Sequence, residues 1–210
     1  MRPPGFVMYL NGISAAGKST IARGFCARWP EPVLHVGLDW LTSTMPERFL
    51  GDGPDADLGA RWVSDATGRL ISVDAGPFGL SLLEGLPRLA AALARAGNHV
   101  LVDDVLLYPW RPGDVAAALT GLDAHFVEVR CSREVARARG RSREERHYVS
   151  GMIEAYYDST YAHDDYDLRI DTELASAEEG AEILVAYIRA GAEPSALARL
   201  RQRANDARVR

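Results

Sequence analysis

One eight-residue stretch constrains this chain more than any other: Gly12-Ile13-Ser14-Ala15-Ala16-Gly17-Lys18-Ser19 satisfies G-x-x-x-x-G-K-[ST] at every fixed position. The spacing has a physical reason. Successive backbone N–H groups must turn inward toward phosphate oxygens, which bulky side chains and ordinary φ angles obstruct. Gly12 and Gly17 remove that obstacle, and the small Ser14, Ala15 and Ala16 crowd nothing. A helix starting at the loop turns its partial positive end toward the phosphates. Lys18 can then reach the β and γ oxygens, and the Ser19 hydroxyl can ligate Mg²⁺. The candidate nucleotide-binding set is Gly12, Ser14, Ala15, Ala16, Gly17, Lys18, Ser19 and Thr20. The competing reading, a Gly-rich turn with an incidental lysine, fits the context poorly. The apolar run Phe6 to Leu10 precedes the loop, and a helical pattern from Lys18 to Trp29 follows it.

Beyond the loop, short apolar runs alternate with longer helical patterns, which predicts a parallel α/β sheet. Further strands are expected at Val33 to Val36, Val100 to Val102, Phe126 to Val129 and Leu168 to Ile170. A hairpin is expected from Arg61-Trp62-Val63 to Arg69 through Val73, turning at Asp65 to Gly68. Phe78 to Ala96 and Ala177 to Arg189 read as helices. The fold class is therefore α/β: a doubly wound, mostly parallel five-stranded sheet flanked by helices, with an Arg-rich lid at about residues 133–150. A single domain is expected over residues 1–192, followed by a polar tail at 193–210 that reads as helix or as disorder.

At 210 residues with 47% hydrophobic content the chain can bury an ordinary core. A net charge of −5 argues against a nucleic-acid partner, which calls for a basic surface. The two cysteines, Cys26 and Cys131, form no CxxC pair and read as buried thiols. No apolar run reaches the roughly 20 residues of a membrane helix, and none resembles a signal peptide. A cytoplasmic protein with no membrane partner is expected. A homo-oligomer is compatible with the sequence, which is silent on it.

Carboxylates complete the phosphate chemistry. Asp103 ends the Val100-Leu101-Val102 run, where a metal-holding aspartate is expected, so the metal candidates are Ser19 and Asp103. Asp104 can orient the substrate or the metal shell. Asp39 follows the second strand at the same sheet edge and is either the group that accepts a hydroxyl proton or a helix cap. Arg133, Arg137, Arg139, Arg141, Arg143 and Arg146 crowd one segment. Two or three of them are expected on phosphate, the rest on a solvated helix face.

These residues resemble the chloramphenicol phosphotransferases. The matching segments run in order. They include Leu10-Asn11-Gly12 through Ser19, Gly37-Leu38-Asp39, Met45-Pro46, Gly76-Pro77-Phe78, Asp103-Asp104-Val105, Val129-Arg130-Cys131 and Tyr166-Asp167 with Asp171-Thr172. The resemblance implies a P-loop kinase fold and phosphate transfer from ATP or GTP, with Mg²⁺, to a hydroxyl of a small antibiotic. Under it Asp39 is the base, Lys18, Arg139 and Arg143 complete the catalytic set, and Met45, Pro46, Phe49, Asp104 and Val105 border the acceptor with Asp39. Departures gather around the acceptor and lid: Trp40, Leu106 to Trp110, and Tyr161 where the family has a histidine. The alternative reading is a metabolite or sugar-nucleotide kinase, toxin-like, on the same fold.

Overall fold

The computed structural model describes residues 2–142 and 151–208. The chain runs β1 (Val7–Asn11), α1 (Lys18–Arg28), β2 (Val33–Gly37), α2 (Leu38–Ser43) and a 3₁₀ turn at Glu47–Phe49. It continues through β3 (Leu50–Gly51), β4 (Ala60–Ser64), β5 (Leu70–Ala75), α3 (Pro77–Arg95), β6 (His99–Asp104), α4 (Arg111–Ala118) and β7 (Ala124–Arg130). The remainder is α5 (Arg133–Ser142), α6 (Met152–Thr160), β8 (Leu168–Asp171), α7 (Ala177–Arg189) and α8 (Ala196–Arg208).

The main sheet has five strands in the order β2-β6-β1-β7-β8, every neighbouring pair parallel. The expected fold class is found. The three central strands, β1, β6 and β7, are buried on both faces, which is why the sequence there shows near-continuous apolar runs instead of alternation. Met8 and Leu10 join the cluster that includes Ile21, Phe25 and Leu184 from α1 and α7. Val7 and Tyr9 join the opposite cluster, with Leu86, Ala90 and Val115 from α3 and α4. Two helical layers thus cover the sheet, and loops at the strand C-termini share one edge.

The expected hairpin forms β4 and β5, with β3 beside β4 in a separate three-stranded sheet. Its turn is set by Asp65, whose Oδ1 accepts from Thr67 N, Thr67 Oγ1 and Arg69 N, while Gly68 takes φ 80°. The C-terminal tail is a helix and is docked. Ala196 and Leu197 are buried, Asp167 Oδ1 accepts from the amides of Ser195 and Ala196, and Arg201 donates to the Ala116 carbonyl. Cys131 is buried as expected, whereas Cys26 is half-buried.

Asp104 corrects an expectation. Its side chain is fully buried: Oδ2 accepts from Tyr9 Oη at 2.5 Å and from Arg111 Nη2 at 2.6 Å, and Oδ1 accepts from Val105 N at 2.7 Å. No surface is left to meet a substrate or a metal shell. Arg111, fully buried, also donates to the Leu83 carbonyl. Burial and the Asp104 charge together push the Tyr9 phenol well above its ordinary range. Removing one member of a buried pair strands the other charge, at a cost of about 3–5 kcal/mol. Arg111→Ala should lower unfolding free energy by about that amount in urea titration, and a loss near zero would show that the pair is not structural.

Candidate active site

The phosphate loop closes over the C-terminal edge between β1 and α1. Its backbone is shaped for inward-facing amides. Ala15 takes φ 63° and Gly17 φ 101°, both in the left-handed region. At Gly12 a Cβ would lie 2.2 Å from the Val129 carbonyl oxygen, so only glycine fits there. Lys18 Nζ donates to the Ile13 carbonyl at 3.1 Å, bending its ammonium back over the loop. From below, Tyr161 supports the loop: its hydroxyl accepts from Ile13 N at 3.0 Å and donates to the Val129 carbonyl at 2.9 Å. Asn11 ties the strand end down by donating to the Thr160 carbonyl and Tyr166 Oη and accepting from Leu106 N.

Asp103 stands beside this loop because β6 pairs with β1 in parallel, Leu10 opposite Asp103. Burial works against its charge. The His35 hydrogen bond, the Lys18 ammonium and the Ser19 hydroxyl outweigh that, and the carboxyl is held below its usual range. Lys18, Ser19 and Asp103 therefore converge, as expected from the sequence. His35, at 3.3 Å from Asp103 Oδ2, was not anticipated.

Asp39 lies in the first turn of α2, directly after β2, exposed and without a polar partner among the described residues. Gly37, not Asp39, occupies the N-cap position, and no side chain caps the helix. The capping alternative is thereby removed. Met45 is buried and Phe49 half-buried, and the two meet around Gly59, where a Cβ would lie 3.0 Å from the Met45 sulfur and 2.8 Å from Phe49 Cβ. Phe78 adds an edge contact to Phe49 at 5.9 Å. Pro46 is exposed beside them. Val105 goes elsewhere, packing with Val73 and Leu107 against the core.

On the other side of the loop lies a cavity of about 360 Å³ lined by Ala15, Gly17, Thr20, Arg139, Thr172 and Ala175 among others. Arg139 forms its wall. Its guanidinium donates to Thr172 Oγ1 at 2.8 Å and to the Thr172 carbonyl at 2.7 Å. Thr172 Oγ1 in turn donates to the Ala16 carbonyl of the phosphate loop at 3.0 Å. Other arginines of the segment serve structure: Arg133 pairs with Asp158 and Arg137 with Glu154. Arg143 and Arg146, and with them the part of the expected lid at residues 143–150, lie outside the described residues.

A phosphate-cradling loop at the edge of a parallel sheet, with a lysine, a hydroxyl and a low-pKa aspartate around it, defines a phosphotransferase of the P-loop kinase class. A family model described as chloramphenicol phosphotransferase-like protein matches residues 5–189, and the chain belongs to that family. A Mycobacterium tuberculosis protein named as a candidate O-phosphotransferase is 27% identical over 96% of this chain and 90% of its own. Among solved structures, a sugar kinase from Janibacter sp. HTCC2649 superposes with TM-score 0.63 at 17% identity, covering 92% of this chain and 98% of that one. The M. tuberculosis APS kinase CysC in complex with AMPPNP and APS gives 0.60 at 21%, covering 89% and 99%. The tunicamycin resistance protein of Deinococcus radiodurans gives 0.55 at 18%, covering 89% and 96%. The protein is thus a kinase that moves phosphate to a hydroxyl. Among the described residues no helix is long and apolar enough to cross a membrane.

The Gly12 contact makes a direct test. Gly12→Ala must displace the Val129 carbonyl or the loop. Nucleotide affinity should fall at least about tenfold, and the backbone shift should lower the unfolding free energy in urea by about 1–3 kcal/mol. Unchanged affinity by calorimetry would show that the loop tolerates the methyl and that its shape is not limiting.

Proposed function

We propose that the protein transfers the γ-phosphate of ATP or GTP to a hydroxyl of a small antibiotic with an apolar or aromatic body, of chloramphenicol or nucleoside type, and thereby confers self-resistance. The observation that carries this reading is Asp39, at the start of α2 directly after β2 and two strands over from the strand that launches the phosphate loop, without a polar partner among the described residues. A carboxylate kept free of capping and of ion pairs can take a hydroxyl proton.

The residues suit Mg²⁺. Ser19 and Asp103 offer hard oxygen donors, a hydroxyl and an ionised carboxylate, and two protein ligands with the rest from phosphates and water is how this ion is commonly held. When bound, the ion would screen the charge of the phosphate oxygens. The chain does the remainder. The loop amides and Lys18 bind and orient the phosphates, and the cavity beside Arg139 and Thr172 accepts the nucleoside. Asp39 aligns the acceptor hydroxyl and receives its proton.

The acceptor side supports an apolar substrate. Trp40, Trp62, Phe78 and Trp110 stay 41–55% exposed on the segments that follow β2 and β6. Trp110 stacks on Tyr108 at 5.4 Å. A flat, hydroxylated antibiotic would cover such rings.

The test is transfer from ATP and from GTP, each with Mg²⁺, to a panel of hydroxylated antibiotics, metabolites and sugar nucleotides, read by mass gain. A phosphorylated antibiotic is expected; a product only among metabolites or sugar nucleotides would replace the acceptor in this proposal. With the acceptor found, Asp39→Asn should reduce kcat at least about a hundredfold and leave nucleotide affinity within about twofold. Comparable turnover would remove Asp39 as base. Arg139→Ala should weaken nucleotide binding about fivefold, the worth of a guanidinium against a base, with kcat little changed. A large fall in kcat alone would move Arg139 to the transferred phosphate.

A further inference from the structure

The geometry points to His35 as a positioning residue that fixes the Asp103 carboxylate for a divalent cation at the phosphate loop. This rests on the metal placement proposed above.

His35 lies on β2, two residues before Gly37 and four before Asp39. Its Nε2 is 3.3 Å from Asp103 Oδ2. An ionised carboxylate only accepts, so Nε2 carries the proton and donates. The contact is sheltered, the His35 side chain being 26% and that of Asp103 13% exposed. The route between them is open because Gly37 sits in register with Asp103 and has no side chain. A Cβ at Gly37 would come within 3.2 Å of the Asp103 carbonyl oxygen and 3.5 Å of Oδ1. The carboxylate therefore lies across the end of β2 and is anchored through Oδ2 by the histidine.

What the anchor does follows from the groups around Asp103. Ser19 and Lys18 approach it from the phosphate loop. With Oδ2 held by His35, the carboxylate plane is set, and Oδ1 is left for a cation or its water shell. An aspartate without that bond can rotate about its terminal torsion, which is broad and nearly two-fold. Outer hydrogen bonds of this kind are worth about 10–100-fold in metal affinity or activity. The helix that begins directly after the same strand carries Asp39. So one short edge strand sets both the acceptor base and the metal-side carboxylate, and His35 keeps the second in register with the first.

The test uses the full chain and a fluorescent non-hydrolysable ATP analogue, with Mg²⁺ titrated from an EDTA baseline. His35→Phe keeps the ring volume and removes the donor; His35→Gln keeps a donor. We expect His35→Phe to raise half-saturating Mg²⁺ about tenfold and His35→Gln to return most of it. Analogue affinity in EDTA and the thermal midpoint should stay at wild-type values in both. Wild-type Mg²⁺ dependence in His35→Phe would overturn the inference if Asp103→Asn still responds. A lowered thermal midpoint with unchanged Mg²⁺ dependence would make His35 merely structural. Wild-type Mg²⁺ dependence in Asp103→Asn as well would remove the metal placement, and the inference with it.

Discussion

The parallel register of β1 with β6 is the constraint on which the rest of the molecule depends. Leu10 pairs with Asp103 and Asn11 with Asp104, so the strand that launches the phosphate loop ends level with the strand that supplies the carboxylates. Strand alternation then sends the two aspartates to opposite faces of the sheet. Asp103 goes to the face shared with α1, where Lys18 and Ser19 meet it. Asp104 goes to the face of α3 and α4, where Arg111 and Tyr9 take it up. A slip of one residue would exchange them, placing the buried partner at the phosphates and the reactive one in the apolar core. The ion pair with Arg111 therefore also guards the register.

Most of the fold was legible because buried parallel strands leave uninterrupted apolar runs and because the hairpin advertises its turn through Asp65 and Gly68. The phosphate loop was legible for a related reason: its chemistry tolerates few residues. The functional sites were read less evenly. Asp103 and Asp104 are adjacent and chemically alike, and only their alternation, applied to a strand that continues through both, separates their roles. The same period places His35 on the face of Asp103, so the signal existed, but a lone histidine in an edge strand does not name its partner. Arg139 is a different case. Helical spacing tells that an arginine is on a face, not which cavity that face meets, and the link to Thr172 spans 33 residues of chain.

The site divides along the loop. On one side Thr172 joins Arg139 to the Ala16 carbonyl, so the wall of the cavity beside the loop and the loop itself share a hydrogen-bond network. On the other, Asp39, Met45, Phe49 and the exposed tryptophans come from segments outside the main sheet. The first side is built from tightly constrained backbone, the second from side chains on short connections. Donor chemistry can thus stay constant while the acceptor surface varies, as function carried by loops on a rigid scaffold allows.

Tyr161, rather than the imidazole that the resemblance leads one to expect, props the phosphate loop, and that choice of side chain has a consequence for acidity. The phenol is half-buried against the loop, and its desolvation there drives its pKa far above the ordinary range. A histidine in this position would gain and lose a proton near neutrality and would pull on the Ile13 amide differently in each state. The phenol keeps one charge state and one donor–acceptor arrangement across all physiological conditions. The prop beneath the cradle is therefore inert to hydrogen-ion concentration.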